Sequence, residues 1–173
     1  MRIFGLAGWS GSGKTTLVTR LLPVLVARGL TVSTVKHAHH EFDIDRPGKD
    51  SHRHREAGAS EVLISSSARW ALMHEHRGAR EPMLAELLAH MTPVDLVIVE
   101  GFKREPFPKL EVHRPSLGKP LLHPGDPDIV AVASDAPIAG LTLPRLPLED
   151  AQAIASFIMT HCLIEPVHGA VER

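Results

Sequence analysis

Gly8-Trp9-Ser10-Gly11-Ser12-Gly13-Lys14-Thr15 fills every fixed position of the pattern G-x-x-x-x-G-K-[ST], the phosphate-binding P-loop. Its flanks agree with it. Ile3–Ala7 is a short apolar run that reads as a buried strand, and Leu17, Val18, Leu21, Leu22 and Leu25 recur at helical spacing. Strand, glycine-rich turn and helix thus follow in the order the motif requires, which a chance glycine-rich turn would not supply. Gly8, Gly11 and Gly13 let the backbone curl so that its N–H groups point at phosphate oxygens. The helix starting near Lys14 adds its positive end. The Lys14 ammonium reaches the β- and γ-phosphates, and the Thr15 hydroxyl is placed to ligate Mg²⁺. The residues expected around the nucleotide are Gly8, Ser10, Gly11, Ser12, Gly13, Lys14, Thr15 and Thr16.

Outward from the loop, Lys14–Ala27 is expected to be helical, with a kink at Pro23 and a C-cap at Arg28-Gly29. Leu30–Lys36 is β-branched and alternating, a second strand in a right-handed βαβ unit with a parallel sheet. A short helix is expected from Asp50 to Ala57, closed by Gly58. Glu61–Ser66 and Arg69–His74 read as a β-hairpin turning at Ser66–Ala68. Glu81–Met91 is amphipathic, with Leu84, Leu87, Leu88 and Met91 on one face. Leu96-Val97-Ile98-Val99 is a near-continuous apolar run, typical of a central parallel strand. Nine of the 14 prolines lie between Pro106 and Pro147, so shorter elements are expected there, with strands at Lys109–His113 and Asp128–Ala133. Leu148–Cys162 is a last helix, striped by Ala151, Ile154, Ala155, Ile158 and Met159. The fold class is α/β: a P-loop NTPase with a mostly parallel central sheet flanked by helices and an inserted β-hairpin. Residues 1–165 are expected to form a single nucleotide-binding domain, and 166–173 a loose tail.

The composition, 43% hydrophobic and 23% charged, suits a globular chain with a substantial core. A formal net charge of −1 makes no electrostatic case for nucleic acid or a membrane surface. The single cysteine, Cys162, forbids an intrachain disulfide and suits a reducing cytoplasm. It reads as a small core residue. The chain enters a strand and the P-loop at once, which leaves no room for a cleavable signal peptide.

The central strand ends in Glu100-Gly101, the place for an acid that binds Mg²⁺ through water or polarises the attacking water. Asp95, at the strand's start, faces the wrong end of the sheet. Lys14 and Glu100 are therefore the expected catalytic pair, and Gly101 would allow close approach to the γ-phosphate. The polar stretch Lys36–Asp50 follows a strand's carboxyl end. It reads as a switch region, with an Asp meeting the metal directly or through water; Asp50 joins Thr15 and Glu100 in the expected metal set. Asp50 would equally serve as a helix N-cap. His37, His39 and His40 with Asp43 and Asp45 would alternatively suit Zn²⁺ or Ni²⁺. Arg53, Arg55 and Arg69 would meet an anion or lie solvated, and the remaining histidines, His113 among them, read as surface. Asp135, after an apolar strand, would accept hydrogen bonds from guanine N1–H and N2–H₂, selecting GTP; a turn aspartate is the alternative.

With those residues in view, the chain resembles the molybdopterin-guanine dinucleotide biosynthesis protein B family. The resemblance is carried by Gly8–Thr15, Lys36-His37-Ala38-His39-His40, Pro47-Gly48-Lys49-Asp50-Ser51, Ala57-Gly58-Ala59, Arg69-Trp70-Ala71-Leu72, Val99-Glu100-Gly101-Phe102-Lys103 and Ala131-Val132-Ala133-Ser134-Asp135, in family order. It implies a GTP-binding accessory protein with weak Mg²⁺-dependent GTPase activity. Such a protein acts beside the guanylyltransferase that joins molybdenum cofactor (molybdopterin) to GMP, and forms a homodimer that shares strands. The resemblance places Gly11–Thr15 on phosphates and Mg²⁺, and Glu100 at the strand-end acid. The usual N/T-K-x-D guanine motif is absent. Two other readings compete: a P-loop small-molecule kinase, and a metallochaperone GTPase with the histidine loop as its metal carrier. The mid-chain hairpin is the expected edge for a second subunit.

Overall fold

The computed structural model describes residues 1–38, 42–102 and 105–165. In chain order its elements are β1 (Arg2–Ala7), α1 (Lys14–Ala27), β2 (Val32–Lys36), α2 (Asp50–Glu56), β3 (Glu61–Ser65), β4 (Trp70–His74), α3 (Leu84–Ala89), β5 (Leu96–Glu100), β6 (Lys109–His113), β7 (Ile129–Ser134), β8 (Arg145–Pro147) and α4 (Ala151–His161). They divide into two compact units, Met1–His37 with Thr92–Arg173, and Ala38–Met91. The expected tail beyond residue 165 lies outside the described residues, as do His39 and His40.

The first unit is built on a six-stranded sheet in the order β2-β5-β1-β6-β7-β8, parallel throughout. The sheet is parallel as expected, but β1 and β2 are not neighbours: β5 lies between them. Its Leu96, Val97, Ile98 and Val99 are buried on both faces, which suits a central strand. One face carries the core. Phe4, Leu6, Leu96, Ile98, Leu110, Val112, Ala131 and Ala133 meet Leu17, Leu21 and Leu25 of α1 and Ile154, Ala155, Ile158 and Met159 of α4. Cys162 joins this cluster as expected, and burial pushes its thiol pKa up. α1 runs unbroken through Pro23. It ends in a Schellman-type turn, with Gly29 at φ +85° and Leu30 N donating to Leu25 O.

The opposite face of β6 departs from the sequence reading. Lys109, Glu111 and His113 are 1%, 0% and 7% exposed, so His113 is not a surface residue. The buried charges are partnered. Glu111 accepts from Leu122 N at 2.7 Å and His123 N at 3.0 Å, and Lys109 pairs with Asp126 and Asp128 at 3.3 and 3.5 Å. Two helix starts also move. α4 begins at Ala151, not Leu148, because Asp150 caps it by accepting from Ala153 N, while Leu148 N bonds to Ser134 O and prolongs the β8 ladder. α3 begins at Leu84, not Glu81, because Glu86 takes the Met83 N–H at 2.8 Å and fixes the cap there.

The second unit contains the expected hairpin, β3 antiparallel to β4 with Leu63 opposite Leu72 and Ser65 opposite Trp70. Ser66 templates its turn, its hydroxyl accepting from Ala68 N and Arg69 N. Arg55 is not a lone surface arginine. It binds Asp43 at 2.7 Å, the buried Asp45 at 2.9 Å and Glu75 at 3.4 Å.

Candidate functional site

Because all six strands run parallel, their carboxyl ends share one edge, where ligands of open α/β sheets bind. β1 delivers the P-loop there, β5 delivers Glu100, β6 Arg114, β7 Asp135 and β8 Glu149.

The loop is a close-fitting cradle. A Cβ at Gly8 (φ +149°) would lie 2.6 Å from Val112 O and 2.7 Å from Ser12 Oγ, so only glycine fits. Gly13 (φ +99°) precedes α1, whose N-terminus has no side-chain cap; that end carries the helix's positive partial charge. Lys14 Nζ donates to Gly8 O at 2.9 Å and Trp9 O at 3.0 Å, so its ammonium spans the loop. Ser12 is 1% exposed, and its Oγ has no hydrogen-bond partner among the described residues. Ser10, Gly11, Thr15 and Thr16 lie exposed along the loop and first helical turn.

Thr15 Oγ1 lies 3.3 and 3.4 Å from the two oxygens of Glu100. The expected pair of metal donors is thus brought together across the β1–β5 junction. Asp95, at the other end of β5, accepts from Thr31 N at 2.8 Å and Thr31 Oγ1 at 2.6 Å, and the hydroxyl bond holds its pKa below the usual carboxylate range. Asp95 is a strand-start residue, as expected. Past Glu100, a Cβ on Gly101 (φ +101°) would lie 2.5 Å from His37 Cβ, and the rings of His37 and Phe102 stand 4.8 Å apart. Gly101 therefore seats His37 beside the strand end.

Asp50 belongs to the second unit. It is the first helical residue of α2, one position past the N-cap, which Lys49 holds. Among the described residues, no group of three or more His, Cys, Asp or Glu side chains is arranged to hold a metal ion. Asp43 and Asp45 are instead engaged by Arg55.

Arg114 is the residue that sequence reasoning missed. Its guanidinium donates from Nε to Ser12 O at 3.2 Å and from Nη1 to Asp135 Oδ2 at 2.6 Å, while Nη2 lies 3.4 Å from Glu149 Oε1. The available signal was an arginine immediately after a strand that ends at the P-loop edge. Trp9 is also anchored nearby, its Nε1 donating to Pro120 O at 2.8 Å.

This donor set fits a nucleoside triphosphate with a hard cation. The glycine cradle and Lys14 suit phosphate oxygens, and the Thr15 hydroxyl with the Glu100 carboxylate suits Mg²⁺. The family model "Molybdopterin guanine dinucleotide synthesis protein B" matches residues 3–135. The chain belongs to that family. Its molybdopterin-guanine dinucleotide biosynthesis adapter protein from Escherichia coli is 41% identical over 160 residues, 91% of either chain. The Haemophilus influenzae adapter protein is 45% identical over 139 residues, 79% of this chain and 76% of that one. A crystal structure of molybdopterin-guanine biosynthesis protein B superposes with a TM-score of 0.67 at 28% identity, covering 92% of this chain and 99% of that one. A homologue from Bacillus stearothermophilus gives 0.65 at 27%, covering 94% and 99%. The match to the protein B family spans the P-loop, Glu100 and Arg114 and ends at Asp135; Glu149 and α4 lie beyond it.

Proposed function

We propose that this chain is a GTP-binding adapter of molybdopterin guanine dinucleotide biosynthesis, at most a slow Mg²⁺-dependent GTPase. The observation that carries the reading is the Thr15–Glu100 pair beside the P-loop, set in a chain of this family. Gly8–Thr16 grip the phosphates, Lys14 neutralises the charge between β- and γ-phosphates, and Thr15 with Glu100 holds Mg²⁺. Bound Mg²⁺ supplies charge neutralisation at the phosphates. Glu100 alternatively orients a water for slow hydrolysis. Asp135 accepts from the guanine edge. The partner is the guanylyltransferase that handles molybdopterin, and the adapter works as a homodimer.

The adapter names of the relatives favour this reading over a kinase or a metal carrier. Nucleotide binding and turnover, GTP against ATP with and without Mg²⁺, test it. GTP is expected to bind in preference to ATP, with slow turnover, and Lys14→Ala is expected to abolish phosphate-dependent binding. An ATP preference with rapid transfer to a metabolite would overturn it. Unchanged GTP affinity in Lys14→Ala would remove the P-loop from the account.

A further inference from the structure

We infer that Arg114 is a positioning residue that holds the base-reading carboxylate of Asp135 and the phosphate loop in one frame, and so sets selectivity for the guanine 2-amino group. The inference rests on the proposed guanine contact at Asp135. Its ground is the three-way use of one guanidinium. Arg114 follows β6, which lies between β1 and β7, so its side chain stands between the P-loop and the end of β7. Nε reaches the loop through Ser12 O at 3.2 Å, and Nη1 reaches Asp135 Oδ2 at 2.6 Å. A Cβ on Gly13 would stand 3.6 Å from Nε and Nη2, so the guanidinium lies directly against the loop backbone at the start of α1.

The inner pair is partly sheltered, with side chains 30% and 29% exposed for Arg114 and Asp135. The outer links are weaker. Glu149, which also pairs with Arg20 of α1, is 58% exposed, and Arg20 is 47% exposed. Among the described residues, Arg114 supplies the only side-chain hydrogen bond to Asp135, and it occupies Oδ2. A carboxylate offers about four lone-pair sites over its two oxygens, so Asp135 can accept from a base while keeping Arg114. The guanidinium fixes the orientation of the carboxylate through a charge-assisted hydrogen bond. Its bond to Ser12 O ties that orientation to the loop that fixes the phosphates. A base edge and a phosphate chain are two ends of one ligand, so the distance between their receptors must be held.

The test is the ratio of dissociation constants for GTP and ITP, which lacks the 2-amino group, measured with Mg²⁺ on the full chain. A site built around an N–H contact rejects the analogue that lacks it. The unmodified protein is expected to prefer GTP by about tenfold or more. Arg114→Gln is expected to bring the two nucleotides within about threefold of each other, and Arg114→Lys to retain part of the preference. A merely structural role would weaken both nucleotides alike and leave the ratio unchanged; that result in Arg114→Gln or, if that variant does not fold, in Arg114→Lys overturns the inference. Asp135→Asn separates the two levels. It is expected to shift preference from GTP towards XTP, whose 2-oxo group accepts from the amide. No shift in Asp135→Asn overturns the guanine contact itself. A shift there with an unchanged ratio in Arg114→Gln overturns only the role of Arg114.

Discussion

Glu100 and Thr15 lie 85 positions apart, yet the hydroxyl and carboxylate come within 3.3 Å. The strand-end position of Glu100 was legible in the sequence because the apolar run Leu96–Val99 stops there at Glu-Gly. Its partner was legible because the motif names it. Glu100→Gln keeps the side chain's shape and removes its charge. Mg²⁺ affinity in the nucleotide complex is expected to fall about 10- to 100-fold, as when a group supporting a metal is lost. A Mg²⁺ titration of GTP binding and turnover measures this, with circular dichroism confirming the fold. An unaltered Mg²⁺ response would make Glu100 an ordinary strand-end residue. Arg114 was not legible. Its partners Ser12, Asp135 and Glu149 come from three separate stretches, and only the order of the strands brings them together. His113 was misread for a related reason: its strand is covered on both faces, which no alternation records.

Helices with a clear apolar stripe were readable, and α1 spans Lys14–Ala27 as its spacing predicts. The larger errors in α3 and α4 sit at their starts, which lie three residues later than expected in each, where a single carboxylate decides. In α3 that carboxylate is Glu86, bound by Arg80 and by the Met83 N–H. The Arg80 hydrogen bond, then the Met83 bond, lower its pKa from 4.5 to about 2. A carboxyl group whose folded pKa is depressed contributes stability above its unfolded pKa and loses it as pH falls through the folded one. The contribution of Glu86 is therefore complete above about pH 4.5 and fades towards about pH 2. Thermal unfolding across that window is expected to fall less steeply with acid in Glu86→Gln than in the unmodified protein. Equal slopes would show that the cap does not depend on the charge. The contribution is exposed to salt and will be smaller at high ionic strength. β8 escaped the sequence reading because three residues, the last of them Pro147, carry no period.

At the scale of the molecule, the hairpin presents Leu63, Trp70 and Leu72 on one face, and they are 62%, 63% and 42% exposed. A two-stranded hairpin is marginal alone, and an open apolar face of this kind is a surface that a second subunit would cover. The proposed homodimer uses it. Light scattering is expected to show a dimer that Trp70→Lys converts to monomer, and a protein monomeric at every concentration would remove this surface from the proposal. Among the described residues no helix is long and apolar enough to cross a membrane. The sequence by itself determined the P-loop, the strand-end acid, the hairpin and the α/β class, because each is written in local spacing: fixed glycines, alternation or a helical stripe. Only the tertiary structure decided that β5 enters between β1 and β2, that charged residues of β6 are buried, and that one arginine joins the phosphate loop to Asp135. Those outcomes depend on which strands become neighbours, and strand order follows from how the whole sheet buries its apolar faces rather than from any one segment.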